Sequence, residues 1–173
     1  MTIFTEDDRA TLERFRVTEL ISRYVDALNH RDWDRYADCW TEDCIFKMTI
    51  ANSAEPASGR MTTIASPISV RTDGREGILG LVRNYNTYPW LFQLPIGVLV
   101  TLEGEGRARI RHVLHVMSHA LVLIGHCYDE AVKGDDGIWR LAHRDYMPSY
   151  WEARDAPGAV CRNLPDPDYT RRP

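Results

Sequence analysis

The sequence predicts an α+β fold in which a curved, mostly antiparallel sheet and three helices enclose an apolar pocket. Helical periodicity is concentrated in the first half of the chain, and strand-like segments fill most of the stretch from residue 93 to residue 147. No repeat or linker divides the 173 residues. Because a strongly bent sheet leaves its concave face only partly filled, we expect the ligand site there.

Composition limits the partners and the location that we expect. A content of 44% hydrophobic and 27% charged residues is typical of a globular domain. The net charge of −4 gives no electrostatic reason to bind nucleic acid or an anionic membrane. No stretch is long and apolar enough to span a bilayer, and the acidic first residues do not resemble a secretory signal. These features predict a cytoplasmic protein.

The four cysteines include no Cys-x-x-Cys pair, so reduced thiols and no metal site are expected. Residues 1–150 are expected to form one domain. Residues 151–173 hold several of the prolines and show no periodicity, which predicts a tail that either wraps around the domain or is disordered.

Helices are expected in three places. Thr5, with an acidic residue three positions later, is typical of a helix start, and apolar spacing continues from there to Asn29. Asp32 is expected to cap a short second helix over residues 33–40, and a third helix over residues 75–85 follows an Asp-Gly pair. The apolar stripe predicted for the first helix comprises Leu12, Phe15, Leu20, Ile21, Val25 and Leu28.

Strands are expected on both sides of the third helix. Residues 44–51 and 60–71 have an extended pattern before it, and residues 94–103, 108–134 and 138–147 have one after it. The run from 108 to 134 is too long for one strand, so we expect it to bend into two. An Asp-Gly pair before the last strand is a hairpin signal.

Three segments resemble the SnoaL-like branch of the nuclear transport factor 2-like superfamily: YVDALNHRDWDRYADCWTEDCIF, DGREGI and DGIWRLAHRDY. Scytalone dehydratases and hexachlorocyclohexane dehydrochlorinases are the members that the chain resembles most, over roughly residues 10 to 150. The resemblance implies a cone-shaped α+β barrel with a small-molecule pocket. It constrains the reaction much less, because one fold hosts many chemistries.

The resemblance also implies which catalytic groups to look for. In the two eliminating enzymes an aspartate near the end of the first helix pairs with a histidine on a later strand and removes a proton next to the leaving group. Asn29 falls on the aspartate position and Leu94 on the histidine position. An amide cannot stabilise an imidazolium as a carboxylate does, and leucine cannot accept a proton. We therefore expect the dyad to be absent.

Other pocket positions of the family are filled by polar groups in this chain. The resemblance places His119 on a histidine that holds the substrate or its water, Tyr24 on a tyrosine that supports an oxyanion hole, and Arg144 on a pocket arginine. The substrate-binding positions that it implies are Asn29, Phe46, Met48, Leu94, Tyr128 and Arg144.

Strand periodicity places His115 and His119 on one face, because residues of equal parity share a face. If that face lines the pocket, either histidine could be a base; otherwise each is a satisfied core or interface histidine. Metal binding by this pair is disfavoured, since the two residues would lie about 13 Å apart along a strand. Tyr24 is either a proton donor or a core tyrosine, and Arg144 either faces the pocket or pairs with Asp145.

Two functional hypotheses follow. In the first, the protein is an enzyme of the lyase or isomerase class that transfers a proton on a hydrophobic, cyclic substrate, by isomerisation, dehydration or cyclisation, without a cofactor. His119 or His115 would be the base, Tyr24 and Tyr128 would donate to an oxyanion, and Arg144 would orient the substrate. In the second, the protein binds a hydrophobic ligand without catalysis, or is an accessory subunit like the small subunit of a ring-hydroxylating dioxygenase. Either form is expected to be a homo-oligomer, a dimer or a trimer.

Overall fold

The computed structural model describes residues 5–50, 68–119 and 121–153. These residues form three α-helices, one short 3-10 helix and one six-stranded sheet. In chain order the elements are α1 (Glu6–Asn29), α2 (Trp33–Asp38), β1 (Trp40–Ile50), β2 (Ile68–Asp73), α3 (Arg75–Arg83), the 3-10 helix (Asn84–Thr87), β3 (Leu91–Leu102), β4 (Arg107–Ser118), β5 (Leu121–Lys133) and β6 (Trp139–Ala153).

The sheet has the strand order β2-β1-β6-β5-β4-β3 and does not close into a barrel. Neighbouring strands are antiparallel except β1 and β6, which run parallel. The parallel pair forms because the chain leaves β1, returns through β2 and α3, and then builds the β3 to β6 meander, which brings its last strand back beside β1. The predicted α+β class with a mostly antiparallel sheet is confirmed.

Helix α1 begins where the sequence predicts. Thr5 and Asp8 form a capping box, in which the Thr5 side chain accepts from the Asp8 backbone N–H and the Asp8 side chain accepts from the Thr5 backbone N–H. The predicted stripe is wrong at its start, because Leu12 and Phe15 are exposed, Phe15 by 66%. This part of α1 meets the sheet through Glu13 instead, whose carboxylate accepts from Lys133 Nζ at 2.9 Å and from the indole nitrogen of Trp139 at 2.6 Å.

The limits of some helices and strands differ from the prediction. Helix α2 ends at Asp38, not at residue 40, because Trp40 is fully buried and already pairs with Leu141 in the sheet. The long run predicted to bend does form two strands, β4 and β5. Residues 60–67 of the predicted second strand lie outside the described residues, as does the tail beyond residue 153; residues 151–153 belong to β6.

The two faces of the sheet differ in burial. On β4, the even-numbered residues from Ala108 to Ser118 are buried against the helices, and the odd-numbered residues point to the other face. We call these the inner and outer faces. His115 therefore lies on the outer face, contrary to the prediction that its parity lines the pocket. The pattern was ambiguous because both parities of β4 carry apolar residues, such as Leu114 inside and Val113 outside. No helix within the described residues has the length and apolar character needed to cross a membrane.

Candidate ligand cavity and buried charge cluster

A small cavity lies between the helices and the inner face of the sheet. Its volume is about 40 Å³, far below the roughly 300–1,000 Å³ of pockets that hold drug-sized ligands. The predicted pocket is thus largely filled by side chains. It is lined by Tyr24, Leu28, Tyr36, Phe46, Met48, Ile78, Leu81, Val82, Tyr85, Gln93, Leu114, Val116, Leu123 and Tyr146.

Aromatic rings fill the hollow on the helix side. The ring centroid of Tyr24 lies 5.2 Å from that of Tyr36 and 5.9 Å from that of Trp40. Burial raises the pKa of Tyr24, although the nearby Arg144 guanidinium lowers it in part. Burial raises the pKa of Tyr36, Tyr24 adds to this effect, and the pKa lies well above the usual value. Both hydroxyls therefore stay protonated at neutral pH, as hydrogen-bond donors.

A fully buried ion pair lies behind these rings. Arg144 Nε donates to Asp129 Oδ1 at 2.7 Å, and Arg144 Nη2 donates to Asp129 Oδ2 at 2.6 Å. Burial alone would raise the pKa of Asp129, but its attraction to Arg144 and their hydrogen bonds hold it below the usual value. The guanidinium carbon lies 4.1 Å from the Tyr24 ring centroid, in a cation–π contact. Asp129 thus neutralises the positive charge of Arg144, and the Tyr24 ring covers the guanidinium.

His112 joins this pair from the next strand. Its Nε2 lies 3.2 Å from Asp129 Oδ2 and 3.4 Å from Arg144 Nη2. His112 (β4), Asp129 (β5) and Arg144 (β6) all point to the inner face from three neighbouring strands. We call these three residues the buried charge cluster.

Ligand atoms of His112, Cys127 and Asp129 lie within 4.8 Å of one another, close enough to hold a metal ion. The donor set nevertheless does not fit one. Both Asp129 oxygens already bond to Arg144, so a metal ion would have to displace a guanidinium and would be repelled by it. Burial also raises the pKa of the Cys127 thiol, whereas a metal needs the thiolate.

Asn29 connects the end of α1 to β3 with two hydrogen bonds. Its Nδ2 donates to the backbone carbonyl of Gln93 at 3.0 Å, and the backbone N–H of Gln93 donates to Asn29 Oδ1 at 2.7 Å. The side chain of Gln93 lines the cavity and is only 6% exposed. Its Oε1 is buried and has no hydrogen-bond partner among the described residues.

Comparison with known proteins agrees with this architecture. A family model described as a SnoaL-like domain matches residues 9–145. The chain belongs to the SnoaL-like domain family. No curated protein matches the sequence at a significant level.

Solved structures similar to this SnoaL-like domain include two from Novosphingobium species. A candidate scytalone dehydratase from Novosphingobium aromaticivorans has a TM-score of 0.67 and 16% identity, and the match covers 91% of this chain and 99% of that chain. Hexachlorocyclohexane dehydrochlorinase LinA-type3 from Novosphingobium barchaimii has a TM-score of 0.66 and 15% identity, covering 90% of this chain and 99% of that chain. At these identities the likeness establishes the fold alone.

The predicted site residues of this SnoaL-like domain divide between the two faces of the sheet. Tyr24, Phe46 and Met48 line the cavity. Leu94 and Tyr128 do not, since their side chains are 45% and 47% exposed on the outer face. Alternation along β3 makes Gln93, not Leu94, the residue that faces the cavity where the resemblance placed the family's histidine.

Two other predicted residues have different neighbours from those expected. Arg144 bonds to Asp129 and not to Asp145. His119 follows the end of β4 and packs against Tyr88, with ring centroids 5.2 Å apart, and its Nδ1 is buried without a partner among the described residues. Neither His119 nor His115 lines the cavity, and the lining within residues 5–50, 68–119 and 121–153 contains no histidine that could act as a base.

Sequence reasoning missed the buried charge cluster and Gln93. The cluster depends on strand register, which pairs Asp129 with Arg144 across β5 and β6. Residues 15 positions apart on a predicted hairpin could have suggested that pairing, because an Asp-Gly turn lies between them. The sequence does not indicate which of Gln93 and Leu94 faces the cavity, because apolar residues occur at both alternating sets of positions along β3.

Proposed function

We propose that the cavity binds a small, uncharged, largely apolar molecule. The observation that carries this proposal is the character of the lining, where none of the described residues bears a formal charge. A charged ligand would lose its hydration without gaining an opposite charge, which is costly. The arginine that could supply one is already neutralised by Asp129.

The entry side is marked by partial exposure. Among the lining residues, Met48 on β1, Leu81 on α3 and Tyr85 on the 3-10 helix after α3 are partly exposed. Tyr24 and Leu114 are buried. A ligand would enter between β1 and α3. Because methionine is unbranched and adapts its shape easily, displacement of Met48 is the simplest way to enlarge the cavity.

Titration with toluene and benzoate tests this proposal. The protein should bind toluene and not benzoate, since the two differ chiefly in charge. Leu114→Ala, which enlarges the cavity, should raise the affinity for toluene, and Leu99→Ala on the outer face should leave it unchanged. Equal affinity for benzoate, or a toluene affinity that Leu114→Ala does not change, would contradict the proposal.

A second candidate is catalysis of proton transfer on a cyclic, hydrophobic substrate, by isomerisation, dehydration or cyclisation. One observation favours it: the Tyr24 hydroxyl belongs to a ring that lies directly over the Arg144 guanidinium, so Tyr24 could donate a hydrogen bond to a developing oxyanion. The solved structures similar to this chain include one named as a dehydrochlorinase and one as a candidate dehydratase. Asn29 and Gln93 both carry amides, which cannot serve as the aspartate–histidine pair that the family resemblance implies.

The visible absorption of bound 4-nitrophenol separates the two candidates, because only its anion is yellow. A cavity that stabilises an oxyanion should lower the pH at which the bound phenol ionises, and Tyr24→Phe should reverse that shift. A passive apolar cavity should instead keep the bound phenol neutral to a higher pH. The second outcome would leave binding as the function and exclude oxyanion catalysis at this site.

We also propose that the protein self-associates through the outer face. Large apolar side chains lie exposed there on β3 and β6, namely Leu94, Ile96, Leu99 and Met147. Leu99→Asp should shift sedimentation from a dimer or trimer to the monomer without lowering the melting temperature of the monomer. Wild-type protein that sediments as a monomer at high concentration would contradict this proposal.

A further inference from the structure

The unpaired side-chain oxygen of Gln93 is unusual for a protein interior. Buried carbonyl oxygens are nearly always hydrogen-bonded, because leaving one without a partner destabilises the fold. Gln93 is 94% buried by its 6% exposure, and its Oε1 has no partner among the described residues. The same side chain lines the cavity. A ligand that donates a hydrogen bond to the Gln93 Oε1 would explain why this oxygen is buried there.

Asn29 holds Gln93 at this place. Its amide bonds to both the backbone N–H and the backbone carbonyl of Gln93, at 2.7 and 3.0 Å. These bonds join the end of α1 to β3, so the Gln93 backbone cannot shift along the strand without breaking both. Asn29 therefore acts as a positioning residue that holds the Gln93 backbone, from which the side chain reaches the cavity wall.

The remaining lining limits what the oxygen can meet. The other groups around the cavity are apolar side chains and tyrosines, and none of the described lining residues is charged. The tyrosine hydroxyls can donate, while the Gln93 Oε1 can only accept. A ligand that bonds to the Gln93 Oε1 must therefore carry a hydrogen-bond donor on an otherwise apolar body.

We infer that Gln93 selects the ligand, and that the ligand class is a small, uncharged alcohol, phenol or N–H compound whose donor bonds to Gln93 Oε1. This inference rests on the proposed binding function and specifies the ligand of that same cavity. Acceptor-only molecules such as ethers and anionic molecules such as carboxylates are disfavoured, because each would place a lone pair or a negative charge against an unpaired oxygen.

Titration of three proteins with phenol and toluene tests the inference. The probes have nearly the same shape, and only phenol can donate a hydrogen bond. Gln93→Met keeps the length of the side chain and removes the amide acceptor, whereas Gln93→Glu keeps an acceptor at the same place. Calorimetric titration gives the ratio of phenol to toluene affinity, and melting temperature verifies that each variant folds.

We expect Gln93→Met to lower the phenol-to-toluene affinity ratio about tenfold, with toluene affinity unchanged or raised. Gln93→Glu should keep the wild-type ratio or increase it. If toluene binds normally and the ratio is the same in all three proteins, the inference is wrong while the proposed binding function stands. If neither probe binds the wild-type protein at any accessible concentration, both the inference and the proposed function are wrong.

Discussion

On the inner face of the sheet, Asp129 is fully buried and receives two hydrogen bonds from Arg144. The next residue, Glu130, points to the outer face, is half exposed, and lies 3.6 Å from the exposed Arg107. The two carboxylates are neighbours in sequence and both have an arginine partner. The inner pair is shielded from water and the outer pair is not, so the same type of interaction has very different consequences for stability.

Breaking each pair separately gives the largest expected effect. Asp129→Asn leaves Arg144 buried without a counter-charge and should lower the free energy of unfolding by about 3–5 kcal/mol. Glu130→Gln is the matched control and should change it by less than about 0.5 kcal/mol. Urea unfolding monitored by circular dichroism measures both. Similar values for the two variants would show that the inner face is not shielded as described.

Apolar residues allow the same comparison. Leu114 is buried on the inner face, and Leu99 is 59% exposed on the outer face of the adjacent strand. Leu114→Ala should destabilise the protein by about 2–5 kcal/mol, because it enlarges a cavity in the core. Leu99→Ala should have little effect on the monomer, measured at a concentration where no association occurs. A loss at Leu99 as large as that at Leu114 would mean that the outer face is covered.

The inner pair should contribute to the pH dependence of stability. Interaction with Arg144 holds the pKa of Asp129 below its unfolded value despite burial. The resulting stabilisation is fully present above the unfolded pKa of about 4 and is lost as the pH falls through the lower folded value. Urea unfolding at decreasing pH should therefore show a steep acid limb for the wild type and a flatter limb for Asp129→Asn. Equal slopes would contradict this assignment.

A smaller effect is expected at the connection between α1 and β3. Asn29→Asp keeps an acceptor for the Gln93 N–H but replaces the donor to the Gln93 carbonyl by a second oxygen. We expect the unfolding free energy to fall by about 1–3 kcal/mol. We also expect a lower phenol-to-toluene affinity ratio than in the wild type. Asn29→Asp with unchanged stability and unchanged affinities would show that Asn29 does not position Gln93.

Local signals in the sequence were sufficient for much of the fold. The capping box at Thr5 and the helical spacing up to Asn29 determine α1, and the strand-rich second half predicts the meander. The site was harder to predict because it depends on which face each strand turns inward. His115 and Leu94 were expected in the pocket, yet both point to the outer face, since β3 and β4 carry apolar residues on both sides.

The buried charge cluster illustrates the same limit. Asp129 and Arg144 belong to different strands, and only the register of β5 against β6 places them opposite each other. His112 joins them through the register of β4 against β5, which a single sequence does not specify. Chemistry that is assembled from several strands is therefore read from the structure, whereas chemistry within one helix end, such as the Thr5 cap, is read from the sequence.

Two methionines provide the most direct test of the claim that ligands bind on the inner side. Met48 lines the cavity, and Met147 is exposed on the outer face. Titration of phenol into protein labelled with 13C at the methionine methyl groups, with Met48→Leu and Met147→Leu used to assign the signals, reports on both faces in one spectrum. We predict a saturable shift of the Met48 signal and none of the Met147 signal. A shift of Met147 with Met48 unchanged would place binding on the outer face and contradict the account.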